Sequence, residues 1–172
     1  MVLRRHVASL AATAVVALAA SAAFPGERRA IGRIERADPR LDRLVPQGAV
    51  IEVLAEGFRW SEGPAWDKAT SKLLFSDVPN NIVHAWSEKD GIVAFLKPSG
   101  YTGPAGGGGR EPGANGLAFD ANGRLVLCQH GDRRISRLEA GRFVPLAERF
   151  EGKRFNSPND LVIAGDGAIY FT

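Results

Sequence analysis

The chain has a single cysteine, Cys128, so no disulfide can form within it. That cysteine falls in the apolar run Leu125-Val126-Leu127-Cys128, where it reads as a small buried hydrophobe rather than a reactive thiol. Histidine is scarce too, with three residues far apart in sequence, so no Cys/His cluster of zinc-binding spacing exists. Charge of one sign is never concentrated. The net charge is +3, and the pair Arg133-Arg134 is interrupted by Asp132 and Glu139. A nucleic-acid footprint needs a basic stripe, so no nucleic-acid partner is expected. Helix-forming runs are missing beyond the N-terminus, while glycine reaches 20 and proline 10 in 172 residues. That balance favours an all-β fold with many turns.

The one long apolar stretch lies at the start. Arg4 and Arg5 precede an Ala/Val/Leu-rich run from Val7 to about Ala23, ending in Ala20-Ser21-Ala22-Ala23. Small residues at that place suit signal peptidase, and the run is short beside the roughly 20 apolar residues that span a bilayer. Residues 1–23 are therefore expected to be a secretory signal peptide, with the mature protein periplasmic or secreted. No stable membrane anchor would remain after cleavage. Both the Sec and the twin-arginine routes stay open. Residues 24–48, rich in Arg and broken by Pro39 and Pro46, read as a linker with a helical turn around Ile31 to Ala37. The folded part is expected over residues 49–172.

Within that part the chain repeats itself. Glu62-Gly63-Pro64-Ala65-Trp66-Asp67 leads to Leu73-Leu74-Phe75-Ser76-Asp77. Asn115-Gly116-Leu117-Ala118-Phe119-Asp120 leads through Asn122-Gly123 to Leu125-Val126-Leu127. Asn159-Asp160-Leu161-Val162-Ile163 leads through Asp166-Gly167 to Ile169-Tyr170-Phe171. Each unit reads as strand, tight turn, strand, because Asn-Gly and Asp-Gly supply the positive φ of hairpin turns. Third strands follow at Ile82–Trp86 and Arg134–Leu138, with fourth strands at Ile92–Leu96 and Phe143–Leu146. Four antiparallel strands repeating every ~40–50 residues describe the blade of a β-propeller. A β-sandwich has similar strands, but does not require one pattern to recur at one position. The Gly106–Gly109 run has no following Gly-Lys-Ser/Thr, so a flexible rim insertion is expected there rather than a phosphate loop.

Glu62, Asn115 and Asn159 head the three repeats. In a propeller the innermost strands line one axis, so side chains at equivalent strand starts converge. Oxygen donors converging in this way suit a hard cation such as calcium. Asn is also a common turn residue that caps backbone groups, and for Asn115 both readings remain open. Asp160 could likewise serve to hold its own loop together.

Four segments together resemble the gluconolactonase branch of the senescence marker protein/regucalcin-like family. They are Ser61-Glu62-Gly63-Pro64-Ala65-Trp66, Leu74-Phe75-Ser76-Asp77-Val78-Pro79-Asn80-Asn81, Ala114-Asn115-Gly116-Leu117, and Glu151-Gly152-Lys153-Arg154-Phe155-Asn156-Ser157-Pro158-Asn159-Asp160. The resemblance runs from about Val53 to Thr172. It implies a six-bladed propeller, all-β, with one divalent cation, most often Ca2+, in the central channel. It also implies a small sugar lactone as substrate. Glu62 resembles the metal-binding glutamate of the first blade, and Asn159 the asparagine that contacts metal or substrate. Asn115 and His130 match residues expected near the substrate at the channel mouth. Gln129 stands where the branch more often has Glu, which is expected to alter a local hydrogen bond.

The resemblance also places the family's catalytic aspartate beyond Thr172. These residues would be an incomplete N-terminal portion of about two and a half blades, with edge strands left unpaired. On its own such a chain is expected to be weakly stable, aggregation-prone and without lactonase activity. Two other readings stand beside the lactonase: an exported, non-catalytic β-propeller binding module, and a truncated reading frame without independent function.

Overall fold

The structure is a computed structural model that describes residues 28–172. The expected signal peptide lies outside the described residues. Two compact units divide at Leu54/Ala55.

In the first unit, strand β1 (Ala30–Ile31) pairs antiparallel with β2 (Ile51–Glu52). Between them a single 3-10 helical turn covers Pro39–Arg43. The helical turn expected around Ile31 to Ala37 is therefore displaced, and the reason is local. Proline at a first helical position forfeits no hydrogen bond, because that N–H has no partner in any case. Asp38 caps the turn, its Oδ1 accepting from the Arg40 backbone N–H at 2.8 Å. Pro39, expected to break any long helix, thus starts a short helical turn. Arg36 reaches across to Asp42, with Nη1 and Oδ1 2.6 Å apart.

The second unit holds two four-stranded antiparallel sheets and two two-stranded ones. The first sheet runs β3 (Ser61–Asp67), β4 (Lys72–Asp77), β5 (Ile82–Ser87), β6 (Gly91–Leu96), in spatial order β3-β4-β5-β6. The second runs β7 (Ala114–Phe119), β8 (Leu125–Gln129), β9 (Arg134–Glu139), β10 (Arg142–Ala147), in order β7-β8-β9-β10. A small ribbon, β11 (Arg149–Phe150) with β12 (Lys153–Arg154), precedes the hairpin of β13 (Leu161–Ile163) and β14 (Ile169–Phe171). Each sheet is a meander of strands adjacent in sequence, the blade of a propeller. Two blades are complete, and a third is present as its first two strands. Gly123 and Gly167 take the positive φ of the two turns, +73° and +88°.

Packing is between blade faces. Leu74, Val83 and Ala85 of the first blade bury against Leu117, Leu125 and Leu127 of the second. Val126, Cys128 and Ile135 turn the other way, onto Leu161, Ile163 and Ile169. Strand β8 is therefore covered on both faces, which is why it reads as an unbroken apolar run rather than an alternating one. Full burial of a Leu or Val of this kind stabilises by roughly 1.5–3 kcal/mol. Burial and, secondarily, the Asp160 carboxylate push the Cys128 thiol up to about 12. The thiolate is the reactive form, so Cys128 stays protonated and inert near neutral pH.

The outer faces are different. Trp66 on the first blade and Val162 and Tyr170 on the last hairpin are each more than half exposed. Phe58, Phe75 and His84 form a small aromatic cluster on the first blade, with Phe58 and Phe75 edge to face at 4.8 Å.

Candidate functional site

An antiparallel meander alternates ends, so the starts of β3, β7 and β13 share one end of the blades with four connections. These are residues 78–81, 97–113, 130–133 and 148–160. Glu62, Asn115, His130 and Asn159 all belong to this end.

The inner strands meet there at very short range. A Cβ on Gly63 would lie 2.3 Å from the Asn115 carbonyl oxygen, and one on Gly116 would lie 3.0 Å from the Asn159 carbonyl oxygen. The same relation is thus repeated from the first blade to the second and from the second to the third. Hydrogen bonds fix it. Ser76 Oγ donates to the Asn115 carbonyl at 2.8 Å, and the Gly116 N–H donates to the Asn159 carbonyl at 2.7 Å. Glu62 and Asn115 each precede the glycine of a contact, and Asn115 and Asn159 each supply its carbonyl, so the three occupy corresponding places on neighbouring blades. Strands β3 and β7 also carry a register irregularity here, between Glu62 and Ala65 and between Ala114 and Leu117. Such bulges re-aim side chains at strand ends.

Glu62 is half-buried, and its Oε1 accepts from Trp60 Nε1 at 3.0 Å. Asn115 is 4% exposed. Its side-chain amide makes no hydrogen bond among the described residues, so it does not cap the turn, one of the two roles its type allowed. Asn159 is exposed and its amide is likewise free among the described residues, while its backbone N–H donates to the Thr172 carbonyl at 2.7 Å. Asp160 does hold its own loop, accepting the Leu161 N–H at 2.8 Å.

His130 sits apart from these three. It lines a cavity of about 420 Å³ with Tyr101, Arg110, Glu111, Arg133 and Ser157, and none of Glu62, Asn115 or Asn159 lines that cavity. Its Nε2 stands 3.6 Å from Glu111 Oε2, and its buried Nδ1 has no partner among the described residues. Gln129 is fully buried; its Nε2 donates to the Ser99 carbonyl at 3.2 Å and its Oε1 accepts from Arg134 Nε at 2.6 Å. A glutamate at this place could accept from Arg134 but could not donate to Ser99.

The sequence reading missed two organising residues. Asp77 is buried, and its carboxylate takes Asn80 Nδ2 at 2.8 Å and the backbone N–H groups of Arg59 and Trp60 at 3.4 Å. Asn81, in the left-handed region at φ +56°, accepts three consecutive N–H groups, from Ser99 (3.0 Å), Gly100 (2.8 Å) and Tyr101 (3.3 Å). The polar string Asp77-Val78-Pro79-Asn80-Asn81 directly after an apolar strand was the available signal. Asn81 pins the glycine-rich connection, which then folds around Tyr101. A Cβ on Gly107 would lie 2.3 Å from the Tyr101 hydroxyl oxygen. Gly107 and Gly108 pack closely against Tyr101, whereas Gly106 and Gly109 have open space around them and take positive φ.

Residues 60–172 match the family model described as SMP-30/Gluconolactonase/LRE-like region. The chain belongs to this family. A gluconolactonase of Zymomonas mobilis is 40% identical over 170 residues, spanning 96% of this chain and 48% of its own length. The chain thus spans about half the length of the curated relative it matches. The structure of a gluconolactonase from Xanthomonas campestris, described as important in glucose secondary metabolic pathways, is 41% identical with a TM-score of 0.61. It covers 70% of this chain, which spans 37% of it. A virginiamycin B lyase of Staphylococcus aureus, 15% identical with a TM-score of 0.50 over 74% of this chain and 40% of its own, shares the fold alone.

For a family member, the donors at the strand starts can be tested against a divalent cation. They comprise one carboxylate, Glu62, and two amides with free oxygens, Asn115 and Asn159. Hard-cation sites use oxygens of these kinds. No group of three His, Cys, Asp or Glu side chains suited to a metal occurs among the described residues. The set therefore fits a hard cation in kind, with amide oxygens essential to it, and does not fit zinc.

Proposed function

We propose that this chain carries the first part of the site of a calcium-dependent hydrolase of sugar lactones, glucono-1,5-lactone being the reference substrate. The observation that carries the reading is the repeated contact of Gly63 on Asn115 and Gly116 on Asn159. It sets Glu62, Asn115 and Asn159 at matching places on adjacent units. In this reading Glu62 and Asn159 hold the cation. A bound divalent cation polarises a lactone carbonyl and stabilises the negative charge that develops on its oxygen. The amides of Asn115 and Asn159 accept and donate hydrogen bonds to the sugar hydroxyls and orient the ring. His130 contacts the substrate from the neighbouring cavity. No residue of this chain is assigned as the base that activates water; by the family resemblance an aspartate beyond Thr172 takes that role.

Lactone opening followed by acid release in a pH-stat is expected to fall to background in excess chelator and to return with added calcium. Turnover that persists in chelator would remove the metal from the reading. The residues 24–172 by themselves are expected to give no turnover in the same assay.

We further propose that residues 1–23 direct export and are removed, leaving the protein periplasmic or secreted. No helix of the described residues is long and apolar enough to cross a membrane. N-terminal sequencing of the cell-envelope fraction should find a start close to Phe24; an intact Met1 in that fraction would refute cleavage.

A further inference from the structure

Some basic side chains of the propeller unit are neutralised by carboxylates. Lys72 meets Asp90 at 3.0 Å, Arg124 meets Asp120 at 2.7 Å, Arg134 meets Asp132 at 3.0 Å, and Arg137 pairs with Glu139. Arg59, Lys97 and Arg110 are among those that are not: none makes a side-chain hydrogen bond or ion pair among the described residues. Far apart in sequence, they line one groove of about 610 Å³ at the strand-start end of the blades. No Asp or Glu among the described residues lines that groove. Two carboxylates that adjoin residues of its lining are committed elsewhere. Asp77 is buried and holds the Arg59 and Trp60 N–H groups, and Glu111 faces His130 in the adjoining cavity.

Uncompensated like charges gathered in a concavity repel one another, so a fold that keeps them together favours whatever anion enters. The walls are fixed in advance. Asn81 takes three N–H groups of the 97–113 connection, Tyr101 anchors its glycines, and Pro79, Pro98 and Pro112 stiffen the rim. A groove that does not have to be ordered on binding retains more of its interaction energy as affinity. Its volume falls among those of small-ligand sites, roughly 300–1,000 Å³.

We propose that the Arg59/Lys97/Arg110 groove binds the oxyanion of a small soluble acid, a phosphate or carboxylate group carried on a sugar-sized molecule. Guanidinium and ammonium groups recognise both oxyanions through charge-assisted hydrogen bonds. The groove is separate from the donors at Glu62, Asn115 and Asn159, none of which lines it. Anion binding is measured without turnover, so it can fail while lactone hydrolysis stands, and the reverse.

Isothermal titration of the full chain in chelator, at low ionic strength, is the test. The probes are inorganic phosphate, D-gluconate, 6-phosphogluconate and, as neutral control, glucose. Saturable one-to-one binding is expected for at least one anion and none for glucose. Phosphate without gluconate would identify a phosphate-selective groove, gluconate without phosphate a carboxylate-selective one, and either supports the proposal. The Lys97→Ala/Arg110→Ala double variant should lose about tenfold or more in affinity, and Arg110→Lys should keep most of it. Arg142→Ala, which removes a cation outside the groove, and Glu62→Gln should bind as the parent does. No saturable anion binding, glucose binding as tightly as gluconate, or equal losses in the double variant and Arg142→Ala would each overturn it.

Discussion

Gly63→Ala is expected to destabilise the propeller unit by about 3 kcal/mol or more, enough to leave a marginal fold largely open. Two costs combine at this residue. Its φ is +54°, a region where a side chain costs roughly 1–2 kcal/mol. Its Cβ would also sit 2.3 Å from the Asn115 carbonyl oxygen, with the Gly116 Cα at 2.9 Å. Neither neighbour is a flexible side-chain end. The carbonyl is held by Ser76 Oγ, and Gly116 is tied to Asn159. Relief requires the whole of β7 to move off β3, and overpacking of that sort typically adds about 1–3 kcal/mol. Gly123→Ala is the control, since φ is again positive at +73° but nothing lies within 4 Å. It should lose only about 1–2 kcal/mol. Urea unfolding followed by tryptophan fluorescence separates the two, and equal losses would show that the inter-strand contact is not tight.

In the full-length protein, Glu62→Gln is expected to reduce kcat/KM for lactone hydrolysis by about 100-fold, a loss of the size seen when metal-site groups are changed. The substitution keeps shape and an oxygen that can accept from Trp60 Nε1, so its effect on stability should stay within about 0.5 kcal/mol. The charge is what it removes. A calcium titration should therefore weaken in parallel with the rate, and raising calcium should recover part of it. Asn159→Ala, losing a neutral donor, should cost about tenfold. Activity of Glu62→Gln equal to the parent at limiting calcium would take the glutamate out of the site.

The Asn122-Gly123 and Asp166-Gly167 turns were legible because their geometry is dictated by the two residues themselves. The strands around them follow from period and composition, and the unbroken run of β8 announces a strand buried on both faces. Pro39 shows the limit of that reading. Proline is compatible with both the end and the start of a helical turn, and the Asp38 cap decided between them. The glycine run at 106–109 was ambiguous for a similar reason. Glycine serves an open loop and a close-packed one equally well, and only the fold shows that Gly107 and Gly108 meet the Tyr101 ring while Gly106 and Gly109 do not.

Glu62, Asn115 and Asn159 were found as a set from sequence alone, since a repeat exposes equivalent positions without any knowledge of contacts. The repeat also established the all-β architecture and, through four ordered segments, the family. Tertiary structure decided the rest. It freed the amide of Asn115 from a turn-capping role, set His130 beside Glu111, and brought Arg59, Lys97 and Arg110 to one groove. Elements and turns are encoded within a few residues of chain, so sequence determines them locally. Which side chains share a space depends on how blades tens of residues apart pack, and here that depends on two glycines lying almost in contact with the next strand.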